Sequence, residues 1–137
     1  MYPAIVGTDR AEDLSPLGTL VGVGVPTTIH SDYPIGPPKP LLAITLAMTR
    51  TGQSGRQTLG SGQAIQLDQA LRMVTTDAAY VLGIDDKVGS LEPGKLADFT
   101  VLERDPHDVR PAAIRDIAVW GTVLGGRVFP GAEIGVR

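Results

Sequence analysis

Apolar positions recur at helical spacing in three stretches of the chain. Leucines and a valine between residues 14 and 24, with a proline near the start and glycines at the end, predict a short helix. Residues 40 to 50 are apolar on nearly every side, which predicts a helix buried on more than one face. The stripe of residues 67 to 82 follows a capping Gln66 and predicts one helix that ends at Gly83.

Shorter stretches follow the patterns of β-strands. Val25 to His30 contains a valine, two threonines and an isoleucine, which predicts a buried strand of the parallel kind. Four prolines and a glycine between Pro34 and Pro40 then predict an irregular loop. Three more strands are predicted at residues 87–91, 97–103 and 117–124, with tight turns at Pro93–Gly94 and Gly125–Gly126. This order of elements is not the alternation of one complete α/β domain.

Composition and charge narrow the class of protein. The 137 residues are 42% hydrophobic and 20% charged, which is typical of a globular protein of about one domain. A net charge of -3 without a basic stripe argues against nucleic acid as a partner. The chain has no run of about 18 apolar residues to span a membrane and no apolar secretory signal, so we expect a cytoplasmic protein. Without cysteine, any metal would need His, Asp or Glu ligands.

Asp32 is the candidate catalytic residue. It lies just past the carboxyl end of the predicted buried strand and opens the proline-rich loop, the place where α/β barrels hold catalytic groups. A carboxylate there can ligate a divalent metal or accept a proton from metal-bound water. The alternative is structural, since a Ser-Asp-x-Pro sequence is a common turn opener in which the aspartate accepts hydrogen bonds from nearby backbone amides. Spacing alone favours the turn opener and leaves the catalytic role open.

The two histidines and the tryptophan have structural interpretations as well. Residues two apart on a strand share a side, so His30 would lie beneath Asp32, either as a partner of the carboxylate or as a satisfied core histidine. His107 follows Asp105-Pro106 and is interpreted as a solvated turn residue, while Trp120 is predicted to fill the core. No histidine pair stands at ligand spacing, so the sequence lacks the three protein ligands of a typical catalytic zinc site.

Longer strings of residues carry a family resemblance. Residues 88–102, Val-Gly-Ser-Leu-Glu-Pro-Gly-Lys-Leu-Ala-Asp-Phe-Thr-Val-Leu, strongly resemble the C-terminal signature of the amidohydrolase superfamily. Residues 69–83 resemble the helix before that signature, and residues 121–129 resemble the last hairpin of the family. Residues 26–34 resemble its eighth barrel strand. The proline-rich loop and the Pro-Leu-Leu at residues 40–42 resemble the branch, amidohydrolase family 3, that includes N-substituted formamide deformylases.

This resemblance implies an α/β fold in two parts. Residues 1–83 are expected to form the C-terminal segment of a (β/α)8 TIM barrel, with its last strand and helices, and residues 84–137 the strand tail of a flanking small β-sandwich. The implied activity is hydrolysis of amide- or imide-like C–N bonds of a small molecule by water activated at a divalent metal, zinc in particular. The family's final aspartate, a metal ligand and proton relay, carries over to Asp32. His30 stands where many members have glycine, which leaves its supporting role beside Asp32 open.

Two functions follow as expectations. The first is a C-terminal fragment of a metal-dependent amidohydrolase, because a (β/α)8 barrel alone takes roughly 250 residues and the family's other ligands are missing here. The alternative is a non-catalytic remnant that folds and self-associates as a structural or oligomeric protein. In either case we expect this chain alone to be inactive and to bind no metal tightly. We also expect a homo-oligomer, because a barrel strand and an apolar helix without neighbours leave open edges and apolar surface.

Overall fold

The computed structural model describes residues 5, 7–52, 55 and 58–131, so the two expected parts, 1–83 and 84–137, each include residues outside the described ones. The helices are α1 (Thr8–Glu12), α2 (Leu17–Gly22), α3 (Pro40–Thr49), α4 (Leu67–Met73) and α5 (Thr76–Val81). The strands are β1 (Phe99–Leu102), β2 (Val119–Leu124) and β3 (Arg127–Pro130), and short 3₁₀ turns lie at Ser61–Gln63, Pro106–Asp108 and Pro111–Asp116. Among these described helices, none is long and apolar enough to cross a membrane.

The α3 helix is the most deeply packed element of the described chain. Pro40 lies in its first turn, where a missing N–H breaks no intrahelical bond. Leu42, Ile44, Thr45 and Ala47 are buried, and the Thr45 hydroxyl donates to a carbonyl one turn back at 2.9 Å. The helix packs against both the 3₁₀ turn at residues 111–116 and α4. Its predicted bounds and its burial on more than one face are confirmed.

The predicted helix over residues 67 to 82 is two helices. Gln66 begins α4 with a capping box, in which its backbone N–H donates to the Gln69 side chain at 2.8 Å. The break falls at Thr75, whose backbone has φ -131° and ψ -95° and whose hydroxyl donates to the Leu71 carbonyl at 2.7 Å. The β-branched residues at the break lose side-chain freedom in a helix and offer the backbone another partner, which explains the interruption. The predicted stop after α5, at Gly83, is confirmed.

The C-terminal strands form an antiparallel sheet in the order β1-β2-β3. Gly125 and Gly126 make a two-residue hairpin between Leu124 and Arg127, as predicted. The strands predicted at residues 97–103 and 117–124 are confirmed with shorter bounds. The Asp98 carboxylate accepts the backbone N–H of Gly125, which fastens the start of β1 to the hairpin.

Two other predicted strands are wrong. Residues 87–91 lie in turns and bends, because the N–H groups of Lys87 and Val88 donate back to the Ile84 carbonyl at 2.9 and 3.1 Å. Val25 to His30 has no strand assignment either. A parallel strand needs a neighbour to accept and donate its backbone hydrogen bonds, and no segment of the described chain pairs with these residues.

The main hydrophobic core joins the helices to the 3₁₀ turn at residues 111–116. Its buried residues are Leu17, Ile44, Ala47, Ile65, Ala70, Met73, Ile114 and Ile117. The prediction that Trp120 fills the core is wrong, since 50% of the residue is exposed. Pairing of Thr122 with Phe129 places both on the sheet face that carries Trp120, because alternate residues of a strand share a face. This face is exposed in the described structure, and Val123, on the opposite face, is buried.

Two glycines of the signature segment give a matched test of its packing. Gly89 (φ +95°) and Gly94 (φ +97°) both have positive φ, so alanine at either position strains the backbone by about 1–2 kcal/mol. A Cβ at residue 89 would also lie 2.7 Å from the Ala79 Cβ, whereas one at residue 94 meets nothing within 4 Å. We predict that Gly89→Ala lowers the free energy of unfolding by about 1–3 kcal/mol more than Gly94→Ala. Urea unfolding of both variants measures the difference, and equal losses would contradict the packing of this turn on α5.

Candidate active site

Asp32 lies in a turn that follows the segment at residues 25–30. Its backbone has φ +51°, in the left-handed region that aspartate tolerates better than most residues. The turn is held by backbone hydrogen bonds, from the N–H of Ile35 to the Asp32 carbonyl at 2.8 Å and from the N–H of Gly36 to the Ser31 carbonyl at 3.0 Å. Asp32 therefore stands at the head of a locally specified turn, as its sequence context predicts.

The Asp32 carboxylate is exposed and takes no part in holding this turn. Among the described residues, no hydrogen bond or ion pair reaches either of its oxygens. The turn-opener interpretation expects the carboxylate to accept backbone amides, and that part of the interpretation is wrong. The turn exists, but its backbone closes it and leaves the side chain available for another role.

His30 contacts the main chain of Asp32 from a segment that forms no strand, and it is not a core histidine. The residue is exposed, and its Nδ1 accepts the backbone N–H of Asp32 at 3.1 Å. When the ring is neutral, an accepting Nδ1 leaves the proton on Nε2. The contact therefore runs to the backbone of Asp32 and orients the turn, while the carboxylate itself is not bonded to the ring.

A cavity of about 290 Å³ opens beside His30. Its walls include Ile29, His30, Ser31, Lys39, Ala43 and Val74. The walls are mainly apolar, and His30 and Lys39 are the ionisable groups among them. This volume lies at the small end of ligand pockets and suits a small substituent rather than a large cofactor.

Thr28 ties the segment that carries His30 and Asp32 to the helical layer. Its half-buried hydroxyl donates to the Met73 carbonyl, at the end of α4, at 2.9 Å. The two residues are 45 positions apart in sequence. Carbonyls in the last turn of a helix have no intrahelical partner, so this bond satisfies one of them while it positions the segment.

The described residues do not by themselves make a metal site. No group of three or more His, Asp or Glu side chains stands close enough to hold an ion in the part of the chain that the structure describes. Asp32 supplies one carboxylate, and the Nδ1 of His30 is already engaged with the backbone. A catalytic zinc takes three protein ligands, so these residues do not fit a complete metal centre.

His107 makes a contact that the sequence analysis missed. Its Nε2 lies 2.8 Å from the Asp68 Oδ1 and its Nδ1 lies 2.9 Å from the Asp105 Oδ1. These hydrogen bonds, with Asp68 the larger cause, raise the pKa of His107. In turn, hydrogen bonds from the backbone and ring of His107 lower the pKa of the Asp105 carboxyl. The Asp-Pro-His sequence indicated the turn, but no local signal points to Asp68, 39 positions away.

Comparison with known proteins decides the family. The model of the Amidohydrolase family matches residues 1–130. The chain belongs to the amidohydrolase family. This confirms the resemblance of the signature segment, which spans residues 88–102.

Individual relatives agree with this assignment. The amidohydrolase chain is 34% identical over 113 residues to the N-substituted formamide deformylase of Arthrobacter pascens, a match that covers 82% of this chain and 21% of the relative. It is 37% identical over 74 residues to the 5-methylthioadenosine/S-adenosylhomocysteine deaminase of Teredinibacter turnerae, covering 54% of this chain and 17% of the relative. The crystal structure of an amidohydrolase from Thermotoga maritima matches 84% of this chain and 26% of its own, with 25% identity and a TM-score of 0.62.

The chain covers only a small share of the length of each of these relatives. It spans 21% and 17% of the two curated relatives and 26% of the solved structure. The structural likeness supports an α/β fold of the amidohydrolase type, of which the described chain with its three-stranded sheet is a small part.

The Thr28 anchor predicts a measurable loss of stability. Thr28→Val keeps the shape of the side chain but removes the donor to the Met73 carbonyl, so the free energy of unfolding should fall by about 1 kcal/mol. Thr28→Ser keeps the hydroxyl and should recover much of this loss. Thr27→Val is the matched control, because the Thr27 hydroxyl donates to the carbonyl of Val25, two positions away, and not to α4. Equal losses for the two valine variants in denaturant unfolding would show that the bond to α4 contributes nothing specific.

Proposed function

We propose that this chain supplies the C-terminal part of a hydrolase that cleaves C–N bonds of a small molecule, with Asp32 as a catalytic carboxylate. Family membership supports the reaction class, because the relatives include a formamide deformylase and a deaminase. The finer assignment to amide- or imide-like substrates rests on the similarity to the N-substituted formamide deformylase.

The observation that carries this proposal is the unengaged carboxylate of Asp32. The Asp32 carboxylate is exposed and has no hydrogen-bond partner among the described residues, so it can accept a proton from an attacking water and pass it to a leaving nitrogen. The hydrogen bonds of the turn and the Nδ1 of His30 hold the main chain of Asp32. These contacts place the residue without using its carboxylate oxygens. His30 has the role of a positioning residue in this proposal.

The proposed full-length enzyme uses a divalent metal, as membership of the family suggests. The resemblance favours zinc as this metal. Asp32 is the proposed metal ligand of this chain, and further ligands must come from outside its described residues. We therefore expect the 137-residue chain alone to bind no zinc tightly and to lack hydrolase activity. Its expected cytoplasmic location stays a prediction.

The finer architecture is also part of the proposal. Residues 1–83 are assigned to the last segment of a (β/α)8 barrel and residues 84–137 to a flanking β-sandwich. The order of the Asp32 turn and the apolar α3, within the family match over residues 1–130, supports the first assignment. The antiparallel sheet, one face of which exposes Trp120, Leu124 and Phe129, supports the second, since such apolar residues are normally covered by a second layer.

The catalytic role of Asp32 is tested in the full-length enzyme that contains this chain. Asp32→Asn keeps the shape of the side chain and tolerates the left-handed backbone, but the amide cannot accept the proton. We predict that kcat falls by about 10²–10⁴ while the thermal midpoint changes little. Asp86→Asn, at another exposed aspartate, is the control and should retain activity. A kcat near that of the wild type at equal metal occupancy would remove Asp32 from the mechanism.

The exposed sheet face also supplies a surface for the alternative, a self-associating, non-catalytic chain. The sheet face carries three large apolar residues, Trp120, Leu124 and Phe129, which are 50%, 62% and 42% exposed, beside Thr122 and Arg127. Large apolar residues exposed on one sheet face can mark an interaction site. The exposed face is compatible with both the hydrolase and the non-catalytic chain. The two functions differ in that only the hydrolase needs a catalytic Asp32.

We predict that the isolated chain forms dimers or larger species through this sheet face. Light scattering over a dilution series measures the mass at each concentration. Leu124→Lys places a charge on the face and should shift the chain toward monomer, whereas Val81→Lys, at an exposed position on α5, should not. A compact, cooperatively unfolding monomer at all concentrations would contradict self-association.

A further inference from the structure

The His107 ring has a geometry that only one protonation state satisfies. Each ring nitrogen lies within hydrogen-bond distance of an aspartate oxygen, 2.8 Å for Asp68 and 2.9 Å for Asp105. A neutral imidazole has one N–H and one lone pair, and an ionised carboxylate can only accept. The neutral ring therefore donates to one aspartate and faces the other with a lone pair. The imidazolium donates to both.

The two aspartates belong to different parts of the fold. Asp105 begins the 3₁₀ turn at residues 106–108 and also accepts the backbone N–H of His107 at 2.8 Å. Asp68 lies in the first turn of α4. The ring thus bridges the turn that follows β1 to the helix whose other end holds Thr28 through the Met73 carbonyl.

We infer that His107 is a pH-sensitive clamp, which joins the turn at residues 106–108 to the start of α4 through two donated hydrogen bonds when its imidazole is protonated and loses one of the two when the ring is neutral. The clamp is independent of the proposed catalysis, because it involves neither Asp32 nor any metal. Its structural consequence is to stiffen the helix that anchors the Asp32 segment.

The direction of the pH effect follows from the groups that face the ring. These are Asp68 from α4 and Asp105 from the ring's own turn, and both raise the pKa of His107. The stabilisation is therefore fully present below the ordinary pKa of histidine and is lost as the pH rises through the raised value. At the acid end it is lost again as the pH falls through the lowered pKa of Asp105. Because His107 is more than half exposed, salt should weaken the clamp.

Thermal unfolding of the full chain tests the clamp. Between about pH 6 and about pH 8.5, values on either side of the histidine pKa range, the wild-type midpoint should fall more than that of His107→Gln or Asp68→Asn. His107 is exposed, so the glutamine variant should fold. Asp108→Asn, which removes a carboxylate of the same turn that does not contact the ring, should keep the wild-type profile. Parallel profiles for all four proteins would overturn the inference.

Nuclear magnetic resonance of the ring nitrogens measures the protonation of His107 directly. A ring with a merely structural role would show no response of its pKa to Asp68→Asn. The chain has two histidines, so the His107→Gln variant identifies the signals of the other. At about pH 6 both nitrogens of His107 should carry protons, and its pKa should be lower in Asp68→Asn than in the wild type and unchanged in Asp108→Asn. A His107 pKa that is insensitive to Asp68→Asn would overturn the clamp even if stability changed.

Discussion

Burial of α3 is the constraint on which the rest of the described structure depends. A helix that is apolar on nearly every side cannot rest on a surface, so other elements must cover it. The 3₁₀ turn at residues 111–116 and α4 cover two sides, and Ile44, 1% exposed, lies at the centre of the core. Ala43 on the same helix lines the cavity beside His30. The helix thus sets the position of the core and of one wall of the candidate site.

Hydrogen bonds from Arg50 fix the C-terminal end of α3, whereas apolar packing fixes its middle. Arg50 adopts φ +54° after the last turn, and its guanidinium donates to the carbonyls of Leu14, Leu59 and Gly60. Burial lowers the pKa of Arg50, and the charge of Glu12 opposes that effect. The Glu12 carboxylate in turn accepts the N–H of Gly60 at 2.8 Å. One cation thereby satisfies backbone carbonyls from two loops, which no apolar side chain could do.

The features that the sequence predicted correctly are those specified by neighbouring residues. Pro40, the Gln66 cap and the Gly125–Gly126 hairpin each act within a few positions, and each appears as predicted. The strand predicted at residues 25–30 and the buried Trp120 failed because both depend on partners that the described chain does not supply. The same reasoning covers the site. The turn at Asp32 is local and was predicted, whereas the bridge from His107 to Asp68 is distant in sequence and was missed.

The turn at Asp32 also shows why a structural and a catalytic interpretation need not compete. The two interpretations exclude each other only if a carboxylate that opens a turn accepts backbone amides with both oxygens. Here the carbonyls of Ser31 and Asp32 accept the turn's amides, and His30 accepts the amide of Asp32 itself. Every bond that closes the turn uses the main chain of Asp32 or a neighbour. An aspartate can therefore suit a left-handed backbone while its carboxylate has no partner in the part of the chain that the structure describes, which leaves it able to accept a proton.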